Sequence, residues 1–213
     1  MQIVAINAKK PNPVFIRQAL AVLMAGGVVV YPTDTAYGLA VDATNEEAIG
    51  KLFVMKHRAQ KALPVLVTGI TMAKKYVQIS DAAHTFIKSY WPGPVTLILP
   101  HTNTLPSALT LGKPTLGIRQ ANQPIAQTLV SGLGRPITCT SANLSGAGVF
   151  YVGQEVVRHF EQQPIQPDFV LDAGEIPEEP PSTIVDLSVT PPVILRQGSV
   201  RVQLGKIAKA KHR

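Results

Sequence analysis

With 213 residues, 46% of them hydrophobic and 15% charged, the chain has enough apolar side chains to bury a sizeable core, and wholesale disorder is excluded. The single cysteine, Cys139, excludes an internal disulfide and any multi-cysteine metal site, and no uninterrupted apolar run is long enough for a membrane span. The net charge of +7 admits a polyanionic partner, but more than half of that excess, Lys206, Lys209, Lys211 and Arg213, lies in segment 205–213.

The first predicted strand is Gln2 to Ile6. Asn12-Pro13 is a cap followed by proline at the first helical position. Phe15, Ala19, Val22 and Leu23 then recur at helical spacing until Gly26-Gly27 stops the helix. Ala19 to Met24 behind Lys9, Lys10 and Arg17 faintly resembles a signal peptide, but the glycine pair interrupts it. An amphipathic helix feeding a strand is the preferred reading, and cytoplasmic residence the default expectation.

Val28 to Tyr31 is a β-branched run that suits a buried strand, and Pro32 ends it because proline has no N–H to donate. Thr33, Asp34 and Thr35 follow at the strand end, with Gly38 close behind. Such a place either carries a binding site on a rigid scaffold or is a turn capped by Thr and Asp. Thr44 to Glu47 reads as a capping box, with Thr44 as the oxygen cap. The helix it starts carries Ile49, Leu52 and Phe53 on one face, and Lys56 falls on the same stripe. Lys56 must therefore snorkel past the core edge or meet an anion. With Arg58 and Lys61 it forms either a phosphate site or a favourable cationic helix end.

Leu63 to Val67 is the next predicted strand. Ser80-Asp81 caps a helix through Phe86, Ile87 and Tyr90, which Trp91-Pro-Gly-Pro94 ends. Val95 to Leu99 is a strand with Thr96 off one face, and Thr115 to Ile118 is another that ends in Arg119. Gln123-Pro124 opens a helix through Leu129 and Leu133. Pro136 to Thr140 is a strand that runs into Ser141-Ala-Asn-Leu-Ser-Gly146. Gln154 to Phe160 is a helix, Phe169 to Leu171 a strand, Ile176 to Pro181 a stiff loop, and Ser182 to Leu187 a strand behind a hydroxyl pair. Val193 to Leu195 is the last strand and delivers Arg196. The alternation of strands and helices implies an α/β sheet with a ligand crevice, and the polar residues at its strand ends, Thr33, Arg119, Ser141 and Arg196, mark that crevice. Residues 1–204 read as one domain, with 205–213 as a basic tail.

Together, Tyr31-Pro-Thr-Asp-Thr35 with Tyr37-Gly38-Leu39, Lys56-His-Arg58, Trp91-Pro-Gly-Pro-Val-Thr96, Arg119, Ser141-Ala-Asn-Leu-Ser-Gly146, Ser182-Thr183 and Leu195-Arg-Gln-Gly198 resemble the YrdC-type threonylcarbamoyl-adenylate synthase family. Each motif is modest alone; their shared order is specific. The resemblance implies a twisted, open, mixed α/β sheet with helices packed on it and a basic ligand cavity. It also implies a reaction in which ATP, L-threonine and bicarbonate give threonylcarbamoyl-adenylate and pyrophosphate, with Mg2+ on the ATP. A tRNA threonylcarbamoyl transferase complex would then use the product to modify the adenosine beside the anticodon.

Carried over by the resemblance, Thr33, Thr68, Arg119, Ser141 and Ser182 fall to the threonine and bicarbonate site, with Arg119 facing the amino-acid carboxylate. Lys56, Arg58, Thr115, Asn143 and Arg196 fall to the nucleotide. No protein nucleophile is implied. The chain departs from the family pattern after Arg119, at Thr68, and at Ala59-Gln60. Two alternatives stand beside this reading: a YrdC-fold paralogue with divergent chemistry, and an RNA-binding module without adenylate synthesis, suggested by the basic charge.

Overall fold

The computed structural model describes residues 1–57 and 61–204, so the basic segment 205–213 lies outside the described residues. Strand β1 (Gln2–Ala5) leads to helix α1 (Pro13–Met24). The Asn12 side chain accepts the Val14 N–H at 2.9 Å, which satisfies one of the orphan donors of the first turn. The expected strand and turn after Gly27 form a hairpin, β2 (Val29–Pro32) and β3 (Tyr37–Ala40), closed by Thr33 to Ala36. Helix α2 (Glu46–Met55) starts one residue later than the capping-box pattern places it. Asn45 supplies the cap, accepting the Ala48 N–H at 3.0 Å, while the Thr44 hydroxyl donates to Asp42 at 2.7 Å. Asp42 is buried and reached by Arg135, so it competes successfully for the Thr44 side chain.

The middle of the chain continues with β4 (Val65–Leu66), α3 (Ile70–Ala73), α4 (Asp81–Tyr90), β5 (Val95–Pro100), α5 (Ser107–Thr110) and β6 (Thr115–Arg119). Helix α6 (Pro124–Leu133) is capped by the Gln123 side chain and ends at Gly134, whose φ of 72° is the left-handed conformation glycine accepts without a Cβ penalty. The run expected as one strand over Pro136 to Thr140 divides into β7 (Ile137–Thr138) and β8 (Thr140–Ser141). Helix α7 (Gly153–Glu161) and strands β9 (Phe169–Asp172), β10 (Thr183–Asp186) and β11 (Val193–Arg196) complete the described fold. Among the described residues no helix is long and apolar enough to cross a membrane.

The α/β class is as the pattern implies, but the strands form two mixed sheets. One has the order β1-β9-β2-β3-β8, the other β11-β10-β5-β6-β4-β7. Cys139 is the step between them: β7 pairs with β4 in one sheet, and β8 pairs with β3 in the other. The period of two along a strand then decides what faces what. In β2 and the residue before it, Val28 and Val30 enter one apolar cluster, while Val29 and Tyr31 enter a second cluster with α1 and α6. Both faces are buried, which is why the run is continuously apolar. In β5, Val95, Leu97 and Leu99 face the first cluster, which leaves Thr96 and Ile98 on the opposite face. Likewise Leu116 and Ile118 of β6 join the core, while Thr115, Gly117 and Arg119 look the other way. That second face of the β5-β6-β10 sheet, set against the β2-β3 hairpin loop and β8, encloses the candidate site.

Candidate functional site

A cavity of about 1000 Å³ lies between the two sheets. Thr33, Thr35 and Gly38 come to it from the hairpin, Thr140, Ser141 and Asn143 from β8 and the turn after it. Thr96, Thr115, Arg119, Ser182 and Arg196 come from the other sheet. Lys56, Lys61, Lys113, Arg119 and Arg196 are among the described lining residues, and Glu179 is the one acid among them. Of the residues assigned from sequence, Thr33, Lys56, Thr115, Arg119, Ser141, Asn143, Ser182 and Arg196 are brought together here. Thr68 is not: it lines a separate surface depression with Leu20, Gln127 and Ser131, because its strand ends at Leu66 and the chain turns away at Gly69. Arg58 lies outside the described residues.

At the hairpin end, the Thr33 hydroxyl donates to the Ala36 carbonyl at 2.6 Å and accepts the Thr35 and Ala36 N–H groups at 3.1 Å each. This turn presents Asp34 and Thr35 to Arg119. The Arg119 Nε donates to the Gly93 carbonyl at 3.1 Å, Nη2 pairs with one Asp34 oxygen, and Nη1 stands 3.5 Å from the Thr35 hydroxyl. The second Asp34 oxygen accepts the Asn122 N–H at 3.0 Å. The Trp91-Pro-Gly-Pro94 segment thus serves the site by supplying a carbonyl, and the Gly93 N–H is itself fixed on the Gln120 carbonyl at 2.8 Å. With Arg119 only 2% exposed, these partners fix the guanidinium plane rather than merely neutralise it.

Arg196 is gripped in a different way. Its Nε and Nη2 donate to the Ser182 carbonyl at 3.0 and 2.8 Å, and Nη2 also reaches the Ser182 hydroxyl at 3.1 Å. That hydroxyl lies 3.0 Å from the Thr96 hydroxyl. The backbone after β11 lies against the same segment: a Cβ at Gly198 would stand 1.9 Å from the Pro181 carbonyl oxygen, so only glycine permits this approach. Burial first, and then the positive Arg119, pushes the Arg196 pKa below the ordinary arginine value. Two guanidiniums therefore repel each other across one cavity, an arrangement that an anion between them relieves.

Lys56 is 1% exposed, so of the two alternatives, snorkelling or meeting an anion, it does not snorkel into solvent. Its ammonium turns inward and donates to the Ser141 and Asn143 carbonyls at 2.5 Å each and to the Asn143 Oδ1 at 3.0 Å. Asn143 completes the knot, accepting the Ser141 hydroxyl at 2.6 Å and donating to the Ala147 and Gly148 carbonyls at 2.7 and 2.8 Å. The ammonium is thus the centre of the turn that follows β8, a buried charge satisfied by backbone oxygens. Lys56 and Asn143 build the cavity wall before they meet any ligand.

Sequence reasoning passed over several residues that line the cavity or, like Asp34, hold a lining side chain in place. Asp34 and Thr35 stood in the first motif, but only the fold shows Arg119 arriving from 84 positions away in the chain to meet Thr35. Thr96 was legible from its phase against Val95 and Leu97. Lys113 and Glu179 carried no signal, since each sits in an irregular segment. Burial pushes the Cys139 thiol above its ordinary value, with the positive Arg119 pulling the other way, so the one sulfur in the cavity is a poor nucleophile.

Comparison with known proteins adds to this geometry. The family model Sua5_yciO_yrdC, described as "Telomere recombination", matches residues 21–198. The threonylcarbamoyl-AMP synthase of Pyrococcus abyssi is 32% identical over 190 residues, which cover 88% of this chain and 55% of that protein. The chain thus spans little more than half the length of that relative. Among solved structures, P. abyssi Sua5 complexed with L-threonine superposes with a TM-score of 0.90 at 29% identity, over all of this chain and 61% of that one. E. coli YciO superposes with a TM-score of 0.87 at 28% identity, over 95% of this chain and 98% of that one.

Proposed function

The chain belongs to the Sua5/YciO/YrdC family, and from that premise we propose that it is a nucleotidyltransferase that makes threonylcarbamoyl-adenylate and pyrophosphate from ATP, L-threonine and bicarbonate. The observation that carries this reading is the meeting, in one cavity, of a fixed guanidinium at Arg119 with a second guanidinium at Arg196, and with Lys113 further along the same lining. The first suits an amino-acid carboxylate, beside the Thr33 and Thr35 hydroxyls. Arg196 and Lys113, with the Thr115 hydroxyl on the same lining, suit a polyphosphate. The excess of cations over the single acid Glu179 in the described lining supports a basic cavity.

The chemistry follows from that placement. The threonine amine and bicarbonate condense to a carbamate with loss of water. A carbamate oxygen then attacks the ATP α-phosphorus, and pyrophosphate departs with the electron pair of the broken P–O bond. Such a step asks the protein to align reactants and neutralise charge, so no protein nucleophile is needed. Ser141 and Ser182 line the same cavity, with the Ser182 hydroxyl 3.1 Å from Arg196, and supply hydroxyl dipoles for the reacting centre. Magnesium belongs with the triphosphate. Among the described residues no group of three or more His, Cys, Asp or Glu is placed to hold a metal ion, so the ion would ride on phosphate oxygens and water. The adenylate, a mixed anhydride that water destroys, would pass to a tRNA threonylcarbamoyl transferase complex.

Pyrophosphate release is the test. It is expected to need ATP, threonine and bicarbonate together, and omission of any one should return it to background. ATP turnover that proceeds unchanged without threonine would instead support a paralogue with divergent chemistry.

A further inference from the structure

The turn after β8 has a second anchor that the proposed reaction does not use. His159, in the last turn of α7, accepts the Leu144 N–H on its Nε2 at 3.1 Å. Its ring contacts two aromatic rings, with centroids 4.9 Å from Phe150 and 5.1 Å from Phe160. An Nε2 that accepts carries no proton, so the neutral ring holds its proton on Nδ1. A charged imidazolium has N–H at both positions and cannot accept from Leu144.

The surroundings decide how readily that charge forms. Burial first, and then the positive Lys56 at the end of α2, lowers the His159 pKa from the ordinary 6.5. The C-terminal end of α7 acts the other way, since a helix terminus of that sign favours a cation. The turn itself, residues 141–150, contains no ionisable side chain. On the strand packed against α7, Asp172 is taken up by Gln154 and the Gly174 N–H at the opposite end of the helix. Lys56 therefore holds the turn from one side by donating to its carbonyls, and His159 holds it from the other by accepting its N–H.

We infer that His159 is a positioning residue for the Ser141–Gly146 turn: its neutral ring latches Leu144, and protonation of the ring releases the wall on which Ser141 and Asn143 are carried. The effect on ATP binding rests on the proposed function; the latch itself does not. The sign is fixed by the direction of the shift. Because the latched state holds the proton less well than the free ring, the latch is fully engaged above the ordinary 6.5 and is lost as pH falls below it through the lowered value.

The test uses the isotopically labelled full chain, followed by nuclear magnetic resonance from about pH 8 to about pH 5, where an imidazole titrates. Protection of the Leu144 amide from exchange should fall roughly tenfold, the order expected for losing one hydrogen bond, in step with the His159 ring resonances. His159→Gln retains an acceptor that does not titrate and should make that protection independent of pH. His159→Ala should show low protection throughout. Calorimetry with MgATP should find acid weakening of binding in the wild type and none in His159→Gln. Leu144 protection that stays flat through the His159 titration, or acid loss that persists in His159→Gln, would overturn the inference. If His159→Ala does not fold, the wild type and His159→Gln still decide. If MgATP fails to bind at any pH, the proposed function is at fault, while the Leu144 amide still reports on the latch.

Discussion

Arg119→Ala is expected to abolish pyrophosphate release and to lower stability by about 3–5 kcal/mol, the range for breaking a buried ion pair by removing one partner. The reason lies in the partners left behind. The Asp34 carboxyl would lose its guanidinium with its side chain only 12% exposed, and the Gly93 carbonyl would lose one of its donors, keeping the Val95 N–H at 2.9 Å. Both costs fall on the folded state, because water solvates these groups once the chain opens. Arg119→Lys separates the two roles. Lysine keeps the positive charge beside Asp34 but has no planar fork to reach Gly93, Asp34 and Thr35 together. Its stability should therefore recover in large part, while threonine-dependent turnover stays at least about a hundredfold down, as for loss of a charge-assisted carboxylate contact. Urea denaturation and turnover, measured on both variants, provide the check. Near-normal turnover in Arg119→Lys would mean that the guanidinium serves Asp34 and not a substrate.

Lys56→Met is expected to be the second large effect, and to appear in stability before it appears in kinetics. Methionine fills the same volume but donates nothing. The Ser141 and Asn143 carbonyls and the Asn143 side-chain oxygen would each lose the ammonium. The Ser141 carbonyl would keep the Asn143 N–H at 3.0 Å and the Asn143 Oδ1 the Ser141 hydroxyl at 2.6 Å, so the main cost falls on the Asn143 carbonyl and on the loss of three charge-assisted contacts, and a net loss of about 3 kcal/mol is expected. Turnover should fall with it, because Ser141 and Asn143 are displaced together. A lysine that served only as a phosphate ligand would give the opposite pattern, with a normal melting temperature and a ten- to hundredfold loss of ATP-dependent turnover, roughly the worth of one charge-assisted contact.

Lys56 also illustrates how far the sequence alone was readable. Its place on the Ile49-Leu52 stripe was legible, since that depends only on helical period. Where its ammonium points was not, because the acceptors come from residues 85 and 87 positions further along the chain. The same division runs through the fold. Caps at Asn12, Ser80 and Gln123, and the strands that end in Arg119 and Arg196, rest on local chemistry and lie where the pattern puts them. The splitting of residues 137–141 between two sheets has no local signature: both halves are β-compatible, and only their partners, β4 and β3, tell them apart. The choice of Asn45 over Thr44 as the α2 cap was likewise settled by Asp42 and Arg135, groups that meet only after folding. Thr68 was placed by family resemblance, and the turn at Gly69 takes it to another face of the molecule.

On the proposed function, one cavity joins a threonine-derived carbamate to the α-phosphorus of ATP. The most direct measurement is incubation with carbon-labelled bicarbonate, threonine and MgATP, followed at once by chromatography and mass spectrometry of the nucleotide fraction. A labelled species with the mass of adenylate plus carbamoylated threonine is expected, formed in equal amount with pyrophosphate and at least about a hundredfold slower with Arg119→Lys. Label that never joins the nucleotide fraction, with AMP or ADP formed at the same rate whether or not threonine is present, would contradict it.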